Sequence, residues 1–324
     1  MSADFSAVGL GVGHATDERG ATGLTVVRGL RRPHRGAACV FGRATGTREL
    51  ETLSPNHQAG RVDAILLTGG SAYGLDAAAG VMRWMEERKR GFDVAAGVVP
   101  IVPAAVIFDL APLGDFRARP TAEMAYAACD SARPTGIAEG SVGAATGATV
   151  GKAAGPALAM KGGFGCATHS MGDMVVCAAA VVNSLGDVRD AEGRIIAGAR
   201  GPKGDFLDCV KLLSEYSSPP KFGQLGAHNT TLCVVATNMV LERVELAQLA
   251  RAAGAALFRR VTPAGTPLDG DIVFALCPME GEGPRGTLMP LELLATRALE
   301  DAIERGVRAA VGRDGVPGLA DASR

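Results

Sequence analysis

Apolar residues along the chain form short runs separated by glycine-rich or polar turns, a pattern typical of buried strands. SAVGLGVG at 6–13 and TGLTVVRG at 22–29 predict a hairpin joined by the polar loop HATDERGA. Further strands or strand–turn units are predicted at VDAILLTGG (62–70), PAAVIFDL (103–110), GSVGAATGATVGK (140–152), DMVVCAAAVVN (173–183), TTLCVVATN (230–238) and DIVFALC (271–277).

Helical spacing of apolar residues appears in four other segments. Residues 71–90 carry an apolar stripe, and Ser71 stands where an N-cap residue is expected. The other predicted helices are 205–216, 244–260 and 290–311. No low-complexity linker or internal repeat marks a domain boundary. We therefore predict that residues 1–324 form a single domain of the α/β class, with strands and helices in layers.

Composition restricts the partners of the protein. The 324 residues are 47% hydrophobic and 21% charged, with a net charge of -1, which is typical of a soluble globular protein. The sequence contains no basic stripe with interleaved aromatic residues, so it does not predict a nucleic-acid-binding surface. No apolar run is long enough to span a membrane and no secretory signal is visible, so we expect a cytoplasmic protein.

Metal and cofactor chemistry has no support in the sequence. The seven cysteines are scattered and never spaced as CxxC, and the five histidines show no ligand spacing. We therefore expect no metal site, no cofactor and no disulfide framework, with the cysteines reduced.

Four polar residues stand inside or beside apolar strands. Lys152 closes a run of glycine, alanine and threonine, Asn183 ends AAAVVN, and Asp269 and Asp271 flank the glycine before IVFAL. Buried polar groups need partners, so these side chains are expected to converge. On the pattern alone, four unrelated turn residues remain the alternative interpretation.

The stretch GAHNTTLCVVATN has two interpretations. Asn229 tolerates tight turns and the following threonines suit the start of a strand, so the stretch by itself favours a turn. The other interpretation is a cut before Thr230, which would make Thr230 an N-terminal nucleophile. The preceding loop, residues 217–229, is thirteen residues long, and such loops are typically functional or mobile.

The motifs taken in order favour the cut. VGHATD, TGLTVV, LTGGSAYGLDAAAGV, PAAVIFDL, GSVGAATGATVGK, VVNSLGDV, NTTLCVVATN and DGDIVFAL together resemble the self-processing aminopeptidases and amidases with an N-terminal nucleophile. That family includes the L-aminopeptidase/D-esterase type, the β-aminopeptidases, a pantetheine hydrolase and the 6-aminohexanoate-oligomer (nylon oligomer) hydrolase. The likeness is greatest to the last two, in which threonine follows asparagine.

The resemblance implies a layered αββα sandwich and a precursor cut at Asn229–Thr230. The fragments 1–229 and 230–324 would stay intertwined, in a homo-oligomer expected to be a tetramer. The implied activity is hydrolysis of a small-molecule amide or short peptide through an acyl-Thr230 ester, with the new α-amine as general base.

The resemblance also implies roles for the polar residues. Lys152 would lower the pKa of the new amine or stabilise an oxyanion, and Asn183 would donate to the oxyanion. Asp269 and Asp271 would orient the amine of Thr230.

Two further positions are candidate substrate-binding residues, Tyr73 and Phe108. Phe108 stands where the nylon-oligomer branch has tyrosine, so that hydroxyl is missing here. Two other functions stay open: an acyltransferase of the ornithine-acetyltransferase type, and an unprocessed, non-enzymatic binding or scaffold protein.

Overall fold

A computed structural model describes residues 2–215 and 229–323. The strands in these residues are β1 Leu10–Asp17, β2 Thr22–Gly29, β3 His34–Val40, β4 Thr47–Arg48, β5 Ala64–Thr68, β6 Phe92–Asp93, β7 Val98–Val99, β8 Ala104–Val106, β9 Thr149–Val150, β10 Met160–Lys161, β11 Phe164–Met171, β12 Met174–Asn183, β13 Asp187–Arg189, β14 Ile195–Ala197, β15 Thr230–Thr237, β16 Val261–Thr262 and β17 Ile272–Pro278. The α-helices are α1 Ala78–Glu86, α2 Ala122–Ser131, α3 Cys209–Ser214, α4 Arg243–Ala253, α5 Ala255–Arg260 and α6 Leu288–Arg308.

Two five-stranded sheets form the centre of the protein. The first sheet has the strand order β1-β2-β5-β8-β4, and the second has the order β11-β12-β15-β17-β3. Alternate residues of each strand face opposite sides of its sheet. In β15, Leu232 and Val234 pack into the core between the sheets, whereas Cys233 and Val235 pack against helices.

Helices cover both outer faces of this pair of sheets. The first sheet buries Leu24, Val26 and Leu66 against α1 and α2. The second sheet buries its outer residues against α4, α5 and α6, which supply Leu249 and Leu299 among others. The predicted αββα sandwich is therefore confirmed, and each sheet is apolar on both faces because each is covered on both faces.

The second sheet is built from chain on both sides of the Asn229–Thr230 bond. Strand β12 pairs with β15 in antiparallel fashion, with Asn183 opposite Thr230, and β17 pairs with β15 in parallel. Strands β3, β11 and β12 precede the bond, while β15 and β17 follow it. The sheet therefore brings residues distant in sequence to the start of β15.

The predicted N-terminal hairpin is confirmed, but its loop is shorter than expected. Residues 14–17 continue β1 and pair with β2, where Asp17 lies opposite Thr22. The polar side chains of His14, Thr16 and Asp17 made this part of β1 look like a loop. The strand continues because the backbone pairing with β2 does not require apolar side chains.

The predicted cap at Ser71 is wrong. Gly70 has φ 80° and Ser71 has φ 52°, and no side chain caps the 3₁₀ turn Ser71–Ala77 that leads into α1. An N-cap residue adopts extended backbone angles, which Ser71 does not. Its N–H donates instead to the carbonyl of Ile107, so tertiary contact with the segment after β8 sets the conformation.

Other predicted elements are confirmed in part. Segment 140–152 is mostly turn, and segment 244–260 is divided at Gly254 into α4 and α5. Of the helix expected at 205–216, the described residues 205–215 contain α3. The sequence interpretation overlooked β3, β11 and α2. Most of the expected loop 217–229 lies outside the described residues. Within the described part of the chain, no helix is long and apolar enough to cross a membrane.

Candidate active site

Thr230 begins β15 and is almost entirely buried, with 4% of its surface exposed. Its hydroxyl donates a hydrogen bond to the carbonyl oxygen of Asn229, at 2.6 Å. The backbone N–H of Gly270 donates to the same oxygen, at 2.7 Å. The carbonyl oxygen of the peptide bond before Thr230 thus accepts two hydrogen bonds, one from the Thr230 hydroxyl and one from the Gly270 N–H.

Strand pairing produces this arrangement. The parallel pairing of β15 with β17 is extended by a bridge between Asn229 and Asp269, which aligns the next N–H, that of Gly270, with the Asn229 carbonyl. A Cβ at Gly270 would lie 2.6 Å from the Thr230 hydroxyl and 2.8 Å from the Ala44 carbonyl oxygen. Only glycine leaves room for the hydroxyl here, because real Cβ atoms do not approach so closely.

Asn183 lies opposite Thr230 at the end of β12 and is completely buried. Its side-chain oxygen accepts from the ammonium of Lys152 and from the N–H of Thr149, both at 3.0 Å. Its side-chain nitrogen donates to the Phe108 carbonyl at 3.4 Å, and the Lys152 ammonium also donates to the Asn183 backbone carbonyl at 3.3 Å. The structure therefore brings Lys152 and Asn183 together beside the nucleophile.

The two aspartates flank Gly270 and are also buried. One oxygen of Asp271 accepts from the N–H of Thr231 at 2.6 Å, and the other accepts from Gly265 at 2.9 Å. Asp269 accepts from the hydroxyl and the N–H of Thr266, at 2.5 and 3.0 Å. Asp271 thus holds the backbone of Thr231, next to the Asn229–Thr230 bond, and Asp269 holds that of Thr266.

Burial shifts the proton affinities of this cluster towards neutral pH. It lowers the pKa of the Lys152 ammonium to about 7, while the charges of Asp269 and Asp271 act in the opposite direction. It raises the pKa of Asp271 to about 7, and the charge of Asp269 adds to the effect. Burial also raises the pKa of Asp269, against the hydrogen bonds from Thr266. Groups that titrate near pH 7 suit acid–base catalysis.

The lowered pKa of Lys152 has a measurable consequence for stability. Lys152 titrates at about 7 in the folded protein and at 10.5 when unfolded, so between these values the unfolded state binds more protons. The folded protein therefore gains stability as pH rises from about 7 to about 8.5, and a Lys152→Met variant lacks this gain. We expect the Tm of the parent, minus that of Lys152→Met, to increase over this range.

Both proteins should carry Thr230→Ala, so that chain cleavage does not affect the melting curves. Contributions from titrating groups that do not interact with Lys152 cancel in the difference. The charge of Lys152 also lowers the pKa of Asp269, so removing it raises that pKa further and makes the folded variant lose stability as pH rises. This effect increases the Tm difference in the same direction. A Tm difference that stays constant from about pH 7 to about pH 8.5 would show that Lys152 keeps an ordinary pKa.

The two candidate substrate-binding residues are placed differently. Phe108 is half-buried, and its carbonyl belongs to the contacts of Asn183. Tyr73 is 62% exposed, and its ring lies 4.3 Å from the Arg119 guanidinium. Among the described contacts none joins Tyr73 to the nucleophile, so its role stays a prediction.

Gly270 is the functional residue that sequence reasoning missed. The motif DGD offered a signal, because a glycine between two acidic residues at a strand entrance allows close backbone approach. Attention to the charged neighbours obscured the N–H group of the glycine itself.

Two other features bear on the location of the site. The described residues contain no group of three or more histidine, cysteine or acidic side chains able to hold a metal ion. A cavity of about 680 Å³ lies at the other end of β15, lined by Asn238, Pro278 and His34 among others, and does not include Thr230. Thr230 at the start of β15 thus lies away from this cavity.

Comparison with known proteins identifies the family of the chain. The model of Peptidase family S58 matches residues 6–319. The chain belongs to this peptidase family. The resemblance inferred from the motifs is confirmed, and the protein is a hydrolase of amide bonds.

Relatives and solved structures extend the comparison. An uncharacterised aminopeptidase of Mycobacterium tuberculosis is 41% identical over 311 residues, covering 90% of this chain and 86% of the relative. A 6-aminohexanoate-oligomer endohydrolase of Kocuria sp. is 32% identical, covering 84% and 74%. The structure of a Burkholderia sp. β-aminopeptidase matches with a TM-score of 0.72 at 21% identity, covering 99% and 93%, which shows the shared fold.

Proposed function

We propose that this S58 hydrolase is activated by cleavage of its own Asn229–Thr230 bond and then works through an acyl ester on Thr230. The observation that carries the proposal is the pair of contacts on the Asn229 carbonyl, from the Thr230 hydroxyl at 2.6 Å and the Gly270 N–H at 2.7 Å. Acyl transfer requires a nucleophile near the carbonyl carbon and a preorganised donor aimed at the position of the developing oxyanion, and the Gly270 N–H supplies such a donor.

Self-cleavage begins with attack of the Thr230 oxygen on the Asn229 carbonyl carbon. The Gly270 N–H stabilises the oxyanion, the C–N bond breaks, and the hydroxyl proton passes to the leaving nitrogen. Water then hydrolyses the resulting ester, which releases the Asn229 carboxylate and leaves Thr230 with a free hydroxyl and α-amine.

The surroundings of Asn229 favour the cut. The residue is 1% exposed, and within the described part of the chain neither polar atom of its side chain has a hydrogen-bond partner. An unpaired buried polar group costs roughly 1–3 kcal/mol. Cleavage frees Asn229 to leave this position, which would relieve the cost of any side-chain polar atom that stays unpaired there.

In the cut enzyme the new α-amine takes the proton of its own hydroxyl, since its unperturbed pKa is about 7.7–8.0. The Thr230 oxygen attacks the substrate carbonyl, the protonated amine of the substrate leaves, and water releases the acid. Asn183, held by Lys152, supplies a further donor to the oxyanion, and the carboxylates of Asp269 and Asp271 orient the α-amine.

For the substrate we propose a small linear amide or short peptide. The named relatives support this class, since they include aminopeptidases and an endohydrolase of 6-aminohexanoate oligomers. Phe108 cannot donate a hydrogen bond from its side chain, so substrate contacts at this position are apolar.

We also propose a homotetramer in the cytoplasm. Three exposed apolar side chains near the N-terminal ends of α4 and α6, Val244, Met289 and Leu293, support an interface between copies. The free cysteines of the described chain suit a reducing compartment.

The test of the proposed function is the covalent state of the purified protein together with its activity. The 33.0 kDa chain of 324 residues should separate under denaturing conditions into pieces of about 23 and about 10 kDa, scaled by length from residues 1–229 and 230–324. N-terminal sequencing of the smaller piece should begin Thr-Thr-Leu-Cys. The same preparation should hydrolyse members of a panel of α-, β- and ω-amino amides.

Two results would contradict the proposal. A full-length chain that hydrolyses amides would exclude an N-terminal Thr230 as nucleophile. Acyl transfer to added amines in place of hydrolysis would favour the acyltransferase alternative.

A further inference from the structure

A second buried lysine lies behind the active site. Lys161, in β10, is completely buried, and its ammonium donates to three backbone carbonyls: Thr146 at 2.8 Å, Ala148 at 2.6 Å and Ala145 at 3.4 Å. Within the described residues it forms no ion pair closer than 4 Å. Burying a charged group carries a large desolvation penalty, so the presence of a lysine at this position requires an explanation.

The three carbonyls belong to the segment that binds Asn183. The next residue, Thr149, donates its N–H to the Asn183 side-chain oxygen at 3.0 Å. Three residues later, the ammonium of Lys152 donates to the same oxygen, also at 3.0 Å. Lys161 lies directly opposite Thr149 in the pairing of β9 with β10. Segment 145–152 therefore leads from the Lys161 contacts to both donors on Asn183.

The other face of this segment packs against a buried carboxyl group, that of Asp109. Asp109 accepts from the Thr22 hydroxyl at 2.7 Å and from the Gly70 N–H at 2.6 Å. A Cβ at Gly147 would lie 2.6 Å from the Asp109 Cβ, so the backbone of the segment lies directly on this side chain. The carbonyl of the preceding residue, Phe108, accepts from the Asn183 side-chain nitrogen.

We propose that Lys161 is a positioning residue, which fixes segment 145–152 so that Thr149 and Lys152 hold the Asn183 amide beside Thr230. The proposal rests on the proposed catalytic role of Asn183. Lys161 acts by orienting carbonyls and not by contact with the substrate, because its ammonium is enclosed by the segment.

Burial and charge at Lys161 agree with a fixed, dry site. Burial lowers the pKa of Lys161 to about 7, and the charges of Arg313 and Lys152 lower it further, while Asp109 and Asp314 act in the opposite direction. An apolar side chain would fill the same volume, yet the Thr146 carbonyl would lose the donor described for it. The carbonyls of Ala145 and Ala148 would each keep only a backbone N–H donor, from Ala148 and Gly162. The segment would then lose the interaction that sets the direction of its peptide groups.

Lys161→Met tests the proposal. We expect self-cleavage and kcat to fall by about tenfold to a hundredfold, the scale of a misplaced catalytic group, with KM changed by less than about twofold. Hydrogen–deuterium exchange of residues 145–152 should become faster while β12 and β15 stay protected. Lys161→Gln keeps two N–H donors and should recover part of the lost kcat.

Two controls separate positioning from stability. Lys203→Met removes an exposed lysine and should change nothing. Leu249→Ala makes a cavity in the layer of α4 and should lower the Tm without lowering kcat in the folded protein. If Lys161→Met is insoluble, Lys161→Gln carries the test, with a lowered kcat and faster exchange of 145–152 expected.

Wild-type kcat in a Lys161 variant whose segment 145–152 exchanges faster would overturn the proposal. A fall in activity that disappears when only folded protein is counted, so that it reflects a lower Tm alone as in Leu249→Ala, would also overturn it. If Asn183→Ala is impaired and Lys161→Met is not, only this inference fails. If Asn183→Ala is itself fully active, the proposed role of Asn183 fails with it.

Discussion

Thr230→Ala is expected to leave a single chain of 33.0 kDa that hydrolyses no amide. The substitution removes the hydroxyl oxygen that lies 2.6 Å from the Asn229 carbonyl oxygen. Among the described contacts, no other hydroxyl donates to that carbonyl. The same change removes the nucleophile of the mature enzyme. Denaturing gel electrophoresis, intact mass and an amide-hydrolysis assay on one preparation measure both effects.

Two neighbouring substitutions make this result specific. Thr230→Ser keeps the hydroxyl but loses the methyl that restricts its rotamer, so cleavage should be slower and some activity should remain. Thr231→Ala removes a hydroxyl that makes no described hydrogen bond to the Asn229 carbonyl and should cleave normally. Cleavage of Thr230→Ala at the same bond would exclude Thr230 from the reaction.

Asn183→Ala is expected to lower turnover by about 10²–10³, the scale of losing one oxyanion donor. The change also removes the acceptor that holds the Lys152 ammonium, so a buried amine loses a partner next to the nucleophile. The variant should be assayed after cleavage is complete, so that turnover is measured separately from slower processing.

Asn238→Ala is the matched control for this prediction. Asn238 follows the other end of β15. Its side chain accepts a hydrogen bond from the Val175 N–H and donates one to the Asp173 carbonyl. Its loss should affect stability and leave turnover of the cleaved enzyme unchanged. Near-normal turnover of cleaved Asn183→Ala would remove Asn183 from the mechanism.

Local pattern predicted the long strands well. Strands β12 and β15 are continuous apolar runs because both faces of the second sheet are covered, and their predicted limits differ from the structure by only one residue. The end of β1 was missed because three of its last four residues, His14, Thr16 and Asp17, are polar. Strand β3 was missed because HRGAACV lacks a clear alternation. Ser71 was assigned as a cap from its position in sequence, whereas contact with Ile107 sets its backbone.

The sequence by itself determined the identity of the candidate nucleophile and the order of the motifs around it. Asn229 and Thr230 are adjacent in the chain, so the scissile bond and the attacking hydroxyl need no folding to be neighbours. The pattern also singled out four polar residues beside apolar strands, Lys152, Asn183, Asp269 and Asp271, but left unrelated turn residues open as the alternative. The family resemblance gave these residues their expected roles.

Only the tertiary structure decided how these groups meet. Asn183 lies opposite Thr230 because of the antiparallel register of β12 with β15, and the Gly270 N–H reaches the Asn229 carbonyl because β15 and β17 are parallel. Register between strands distant in sequence depends on long-range packing of both sheet faces, which no local pattern encodes. The supporting contacts of Lys161 depend on the same packing, since its partners are backbone carbonyls. Every residue has a backbone carbonyl, so the sequence does not show which carbonyls a buried lysine will contact.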